Sequence, residues 1–103
     1  MLFRSLEAKS TKLAGYLVSI GVKPGDFAGI CHGRSVSLLV GLLGIMKTGA
    51  AYVPLDPDYP NDRLLYMLEQ SAVKVLVTEA ALQESLPAYS CEKVLLEIGR
   101  AHV

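Results

Sequence analysis

From residue 46 to residue 60 the chain reads Met-Lys-Thr-Gly-Ala-Ala-Tyr-Val-Pro-Leu-Asp-Pro-Asp-Tyr-Pro, and this stretch leaves the backbone few options. Pro54, Pro57 and Pro60 each lack an amide donor, so no helix runs through them and no central ladder continues past them. Gly49 supplies the stop for a preceding helix. The stretch therefore reads as a helix end, a glycine stop, a strand over Ala51 to Leu55 and a rigid loop over Asp56 to Pro60.

Helical and strand signals alternate around it. Leu6, Leu13, Leu17 and Ile20 fall on one helical stripe, with Lys9 and Lys12 on the wet side, and Gly21 ends that helix. Lys23-Pro24-Gly25-Asp26 has the residues of a tight turn. Phe27 to His32 follows as a strand expected to be buried on both faces. Ser35 is the expected N-cap of a helix reaching Lys47. Pro60 suits the first turn of a third helix, where Asp62 meets the positive dipole end, and Leu64, Leu65, Leu68 and Ala72 give its inner face. Lys74 to Thr78 reads as a strand, Glu79 to Leu86 as a short helix and Val94 to Leu96 as a fourth strand. Strands separated by such helices imply right-handed crossovers, hence an α/β fold with a parallel sheet covered on both sides.

Composition narrows the function. With 103 residues the chain makes one small domain at most, and its 51% apolar content belongs to a globular protein. Lys+Arg and Asp+Glu balance at ten each, without the basic stripe that nucleic acid demands. Val36 to Met46, the most hydrophobic run, is about half of the ~20 residues a membrane span needs, so it reads as a buried core helix. With no secretory signal at the N-terminus, a cytoplasmic protein is expected.

The residues that could carry chemistry do not assemble into a machine. Cys31 and Cys91 have no C-x-x-C companion and read as reduced, mostly buried thiols. Cys31 and His32 are neighbours on a strand, point to opposite faces and are badly placed to share an ion. At Cys31-His32-Gly33-Arg34-Ser35 backbone amides could meet an anion, but a capping Ser35 and a solvated Arg34 account for the same residues. Asp56 and Asp58 suit turn formation better than metal binding. Lys47 is already favoured by the end of its helix dipole, without a phosphate. His32 and His102, the two histidines, pair with no nucleophile. Neither G-x-x-x-x-G-K-S/T nor G-x-G-x-x-G occurs. The residues alone lead to an α/β sheet domain, nucleotide-associated or not.

A resemblance carries further. Met46-Lys47 through Arg63-Leu64 resembles the second core motif of amino-acid adenylation domains of non-ribosomal peptide synthetases, roughly L-K-A-G-x-A-Y-V-P-L-D-P-x-Y-P-x-x-R-L, with Met46 and Thr48 replacing the usual leucine and alanine. Leu2-Phe3-Arg4-Ser5-Leu6 is similar to the first core motif, L-T-Y-x-E-L, with Phe3 for the tyrosine and Ser5 for the acid. The likeness runs from about Leu2 to Leu96, through Leu13 to Leu17, Gly21 to Asp26, Tyr66 to Glu69 and Val75 to Thr78. It implies an incomplete N-terminal part of the adenylate-forming large domain over residues 1–96. The parent would use Mg·ATP to make an aminoacyl adenylate and load it on phosphopantetheine. Its expected partners are the remainder of the adenylation domain and the peptidyl carrier and condensation domains.

No phosphate loop or catalytic lysine of that family lies in this chain, so no catalytic, cofactor-binding or metal residue is assigned. The fragment is expected to be inactive alone. The Tyr52 to Pro60 stretch is expected to be scaffold. Residues 97–103, Glu97-Ile98-Gly99-Arg100-Ala101-His102-Val103, resemble the translation of a sequencing adapter, which would make them a non-native tail. Two other readings stand: a fragment of an acyl-CoA synthetase-like ligase, and a free-standing non-catalytic α/β binding domain.

Overall fold

Leu6, Leu13 and Leu17 recur at helical spacing, and helix α1 (Leu2–Ser19) forms on that stripe. The structure, a computed structural model, describes residues 2–33 and 35–96, with Leu2 and Phe3 as backbone only. The expectations for Arg34 and for the tail with Gly99 and His102 lie outside the described residues. Leu13 and Leu17 are fully buried, and Leu6 and Ile20 pack against the same cluster. Ser10 also lies on this stripe, and its hydroxyl donates to the Glu7 carbonyl (3.1 Å). Such back-bonding keeps a buried hydroxyl satisfied. Gly21 adopts φ 105°, while Gly21 and Val22 donate to Val18 and Leu17 (both 3.0 Å), closing the helix by a Schellman pairing.

The turn before the first strand forms as the residues predict. The Asp26 amide donates to the Lys23 carbonyl (3.0 Å), the Lys23 amide donates to Asp26 Oδ2 (2.8 Å), and Gly25 takes φ 93°. That amide, helped by the Lys74 ammonium, holds the Asp26 carboxyl below the usual carboxylate value. Strand β1 (Phe27–Cys31) follows, one residue shorter than expected, and Phe27 is exposed at 45%.

Helix α2 (Val36–Lys47) ends where predicted, and Gly49 takes φ 85°. Ser35 holds the N-cap position, but its side chain makes no cap bond and lies 3.5 Å from the Gly33 carbonyl. At the other end Thr48 donates to the Ile45 carbonyl (2.6 Å) and accepts from the Ala50 amide (3.2 Å). Only one face of α2 is core. Val40, Gly41, Gly44 and Ile45 are buried, whereas Val36, Leu39, Leu43 and Met46 form an exposed apolar stripe. A helix apolar all round conceals which side faces inward.

Strand β2 (Ala51–Pro54) leads to helix α3 (Asn61–Ser71), strand β3 (Val75–Thr78), the short helix α4 (Ala80–Gln83) and strand β4 (Glu92–Leu95). The sheet is parallel in the order β2-β1-β3-β4. From β1 the chain steps out to β2, crosses back to β3 and continues to β4, so it winds in both directions. Alternate strand residues feed two cores. Ala28, Ile30, Val75, Val77, Val94 and Leu96 meet α1 and α2, while Cys31 and Leu76 meet Leu64 and Leu68 of α3. The predicted cover on both sides is partial, because Ala51, Tyr52 and Pro54 of β2 are exposed and Val53 is half-buried.

Two features of α3 depart from expectation. Pro60 is its N-cap rather than its first-turn residue. Ala72 is no inner-face residue: it is the exposed left-handed C-cap, with φ 51° and ψ 49°. Alanine there carries a steric cost that glycine escapes. Ala72→Gly is expected to stabilise the domain by about 0.5–1 kcal/mol after the extra entropy of the unfolded glycine is subtracted. Urea denaturation checks this, and a loss of stability would contradict the assigned cap.

A candidate site at the carboxyl end of the sheet

In a doubly wound sheet the strand order reverses at one crevice, and ligands favour the carboxyl ends of the strands there. Here the reversal falls between β1 and β3, where the chain leaves β1 through His32 and Gly33 and leaves β3 through Glu79. His32 is buried to 8% exposure. Its Nε2 lies 3.0 Å from the Leu96 carbonyl oxygen, and its Nδ1 lies 3.1 Å from the Gly33 carbonyl and 3.4 Å from Glu79 Oε2. The Gly33 amide donates to the same Glu79 oxygen (2.8 Å). A side chain at Gly33 would meet that oxygen, since a Cβ there stands 3.1 Å from it. The cluster clasps the ends of β1, β3 and β4.

Glu79 is the residue that sequence reading missed. It was legible only as the start of a short helix, yet its carboxylate makes no cap bond to α4 and turns to Gly33 instead. Thr78, beside it, is fully buried, and its Oγ1 finds no hydrogen-bond partner among the described residues.

Cys31 faces the α3 side, away from His32, as strand alternation predicts. Burial, then the carboxylates of Asp56 and Glu79, pushes its thiol up to about 11. Burial likewise raises Cys91. Both cysteines are free, and neither is disposed to act as a thiolate.

A cleft of about 640 Å³ is lined by His32 and Gly33 of the clasp together with Leu38, Leu42, Tyr52 and the loop from Asp56 to Tyr59. The loop there is built from turn chemistry. Asp56 Oδ1 accepts from the Asp58 amide (2.9 Å), and the Tyr59 amide donates to the Asp56 carbonyl (3.0 Å). The Arg63 guanidinium stacks 4.3 Å from the centre of the Tyr59 ring. Asp56 is thus a turn former, as its setting among prolines predicts. Lys47 is engaged with Glu7 on α1 at 3.0 Å, so it braces two helices. Among the described residues no three of the His, Cys, Asp and Glu side chains gather to hold a metal ion. No described helix is long and apolar enough to cross a membrane.

Comparison with known proteins supplies what this geometry lacks. The model of the family described as AMP-binding enzyme matches residues 1–101. The chain is 46% identical over 98 residues to a linear gramicidin synthase protein of Brevibacillus parabrevis, a match covering 95% of this chain and 2% of that protein. It is 43% identical over 81 residues to bacitracin synthase 3 of Bacillus licheniformis, covering 79% of this chain and 1% of the relative. Among solved structures, it superposes with a TM-score of 0.84 and 35% identity on a four-domain nonribosomal peptide synthetase bound to AMP and glycine, covering 90% of this chain and 7% of that one. It also superposes on the N-terminal subdomain of Klebsiella oxytoca NpsA in complex with 3-hydroxybenzoyl-AMSN. There the TM-score is 0.79 at 25% identity, covering 89% of this chain and 23% of the subdomain. The chain spans about one-fiftieth of the gramicidin synthase protein it matches.

Proposed function

Because this chain belongs to the family of AMP-binding enzymes, we propose that it is the N-terminal part of an amino-acid adenylation domain of a nonribosomal peptide synthetase. In the longer protein a carboxylate oxygen of the amino acid attacks the α-phosphorus of Mg·ATP, and the bond to pyrophosphate breaks. The phosphopantetheine thiol of a carrier domain then attacks the aminoacyl carbonyl, loses its proton and displaces AMP, and a condensation domain uses the resulting thioester. The observation that carries this reading is the 46% identity to a linear gramicidin synthase protein over nearly the whole chain. A structural neighbour that holds AMP and glycine supports an amino acid as the acid activated. A cytoplasmic location accompanies the same reading.

The described residues have a supporting role. The clasp of His32, Gly33 and Glu79 fixes the carboxyl ends of three strands, and the loop from Asp56 to Tyr59 is held by its own hydrogen bonds. Rigid strand ends are what a site built on neighbouring segments needs. No described residue is assigned to ATP, magnesium or the amino acid, and the 103-residue chain alone is inactive on this reading.

We place residues 97–103 outside the natural frame. Sequencing the gene through codon 96 tests the whole reading. An open frame is expected to continue into a Ser/Thr/Gly-rich loop and, much later, a lysine. A stop close after Leu96 would instead support the free-standing binding domain.

A further inference from the structure

The polar partners of both His32 ring nitrogens are oxygen atoms. Nε2 lies 3.0 Å from the Leu96 carbonyl oxygen, while Nδ1 lies 3.1 Å from the Gly33 carbonyl oxygen and 3.4 Å from Glu79 Oε2. Peptide carbonyls only accept, and Glu79 Oε2 already accepts from the Gly33 amide (2.8 Å). A neutral imidazole carries one N–H and one bare nitrogen. With the proton off Nε2, the Leu96 carbonyl loses this donor. With the proton off Nδ1, the ring sets a lone pair against a carbonyl and a carboxylate. The imidazolium alone, with two N–H groups, satisfies both sides.

The charges around the ring favour that form. Glu79, which follows β3, forms the ion pair with His32. Asp56 and Asp58, in the loop after β2, line the same cleft as His32, and no lysine or arginine is among the described residues of that lining. From α2 the cleft receives Leu38 and Leu42, which carry no charge, and β4 presents its Leu96 carbonyl. On β1 the neighbouring Cys31 faces the opposite core. Burying a cation is costly unless it is paired and hydrogen-bonded, and His32 is both. Glu79 is 26% exposed, so a proton leaving the ring has a route to water.

We propose that His32 is a proton-operated latch. Doubly protonated, it ties the end of β4 to the ends of β1 and β3, and loss of one proton to water opens that tie. The latch rests on the clasp alone and is independent of the adenylation reading. The folded chain then holds more protons at this position than the unfolded chain does where histidine titrates. Stability from the latch is therefore present on the acid side and lost as pH rises.

The test uses the 103-residue chain with His102→Ala, which leaves His32 as its one imidazole. With histidine labelled by nitrogen-15, the ring is expected to show two protonated nitrogens at about pH 7. One bare nitrogen overturns the proposal. Glu79→Gln keeps an acceptor for the Gly33 amide but removes the charge, and one nitrogen should then be bare at the same pH. Two protons that persist in Glu79→Gln remove the carboxylate from the latch and also overturn it. Urea denaturation supplies a second readout. Between about pH 6 and about pH 9 the unfolding constant should rise about tenfold more than in the same chain carrying His32→Gln. An equal or smaller rise contradicts the latch. The nitrogen signature is read with the clasp intact, so it decides the matter even where His32→Gln does not fold.

Discussion

Leu13→Ala is expected to destabilise the domain by about 2–5 kcal/mol, enough to consume much of the ~5–15 kcal/mol that small domains possess. Leu13 is fully buried where α1 crosses α2, and the crossing is close because Gly44 has no side chain. A Cβ at residue 44 would stand 2.6, 2.9 and 3.1 Å from Leu13 Cδ2, Cγ and Cβ. The nearest of these is the flexible end of the leucine, but the other two cannot swing away. Gly44→Ala is therefore expected to cost about 1–2 kcal/mol, after the ~0.5–1 kcal/mol advantage of alanine inside a helix is deducted. In the double variant the new methyl enters the space that Leu13 vacates, so the two losses should fall short of their sum by about 1 kcal/mol or more. Urea denaturation followed by circular dichroism measures the cycle. Additivity within about 0.5 kcal/mol would contradict the packing described for this crossing.

Leu76→Ala, on the other face of the sheet, is expected to cost a similar ~2–5 kcal/mol. Leu76 lies on β3, between β1 and β4, and is fully buried with Leu55, Leu64, Leu68 and Val73. Truncation leaves a cavity beneath α3 that rigid strands on both sides cannot close. Tyr66→Ala, on the exposed side of the same helix at 62% exposure, is the matched control and should stay within about 0.5 kcal/mol. Leu13 and Leu76 belong to separate cores, so their losses should add within about 0.5 kcal/mol. A Leu76→Ala effect as small as that of Tyr66→Ala would mean that the second layer is not packed.

Much of this arrangement was legible in the residues. The stripe Leu6-Leu13-Leu17-Ile20, the glycine stops at 21 and 49 and the alternation of helix with strand all forecast what formed, because each depends on local chemistry. Ala72 was misread because its apolar side chain fits the α3 stripe, while nothing in its identity announces a left-handed backbone. The exposed stripe on α2 was hidden for the opposite reason: both faces are apolar, so the pattern has no polar side to mark solvent. Pro54 falls within the strand expected over Ala51 to Leu55, and it does lie inside β2.

The clasp was the least legible part. Glu79 reaches the Gly33 amide across 46 positions, and His32 rests on the carbonyl of Leu96, 64 positions away. A backbone carbonyl has no residue signature, and the pairing exists only once β1, β3 and β4 lie side by side. The family, by contrast, was legible from Met46 to Leu64, because a long ordered string carries more information than any one contact.

Amino-acid-dependent ATP–pyrophosphate exchange tests the central claim most directly, measured on the 103-residue chain and on a chain extended through a complete adenylation domain. The account predicts no exchange above background for the short chain and clear exchange, dependent on one amino acid, for the extended one. Exchange catalysed by the 103 residues alone would contradict it.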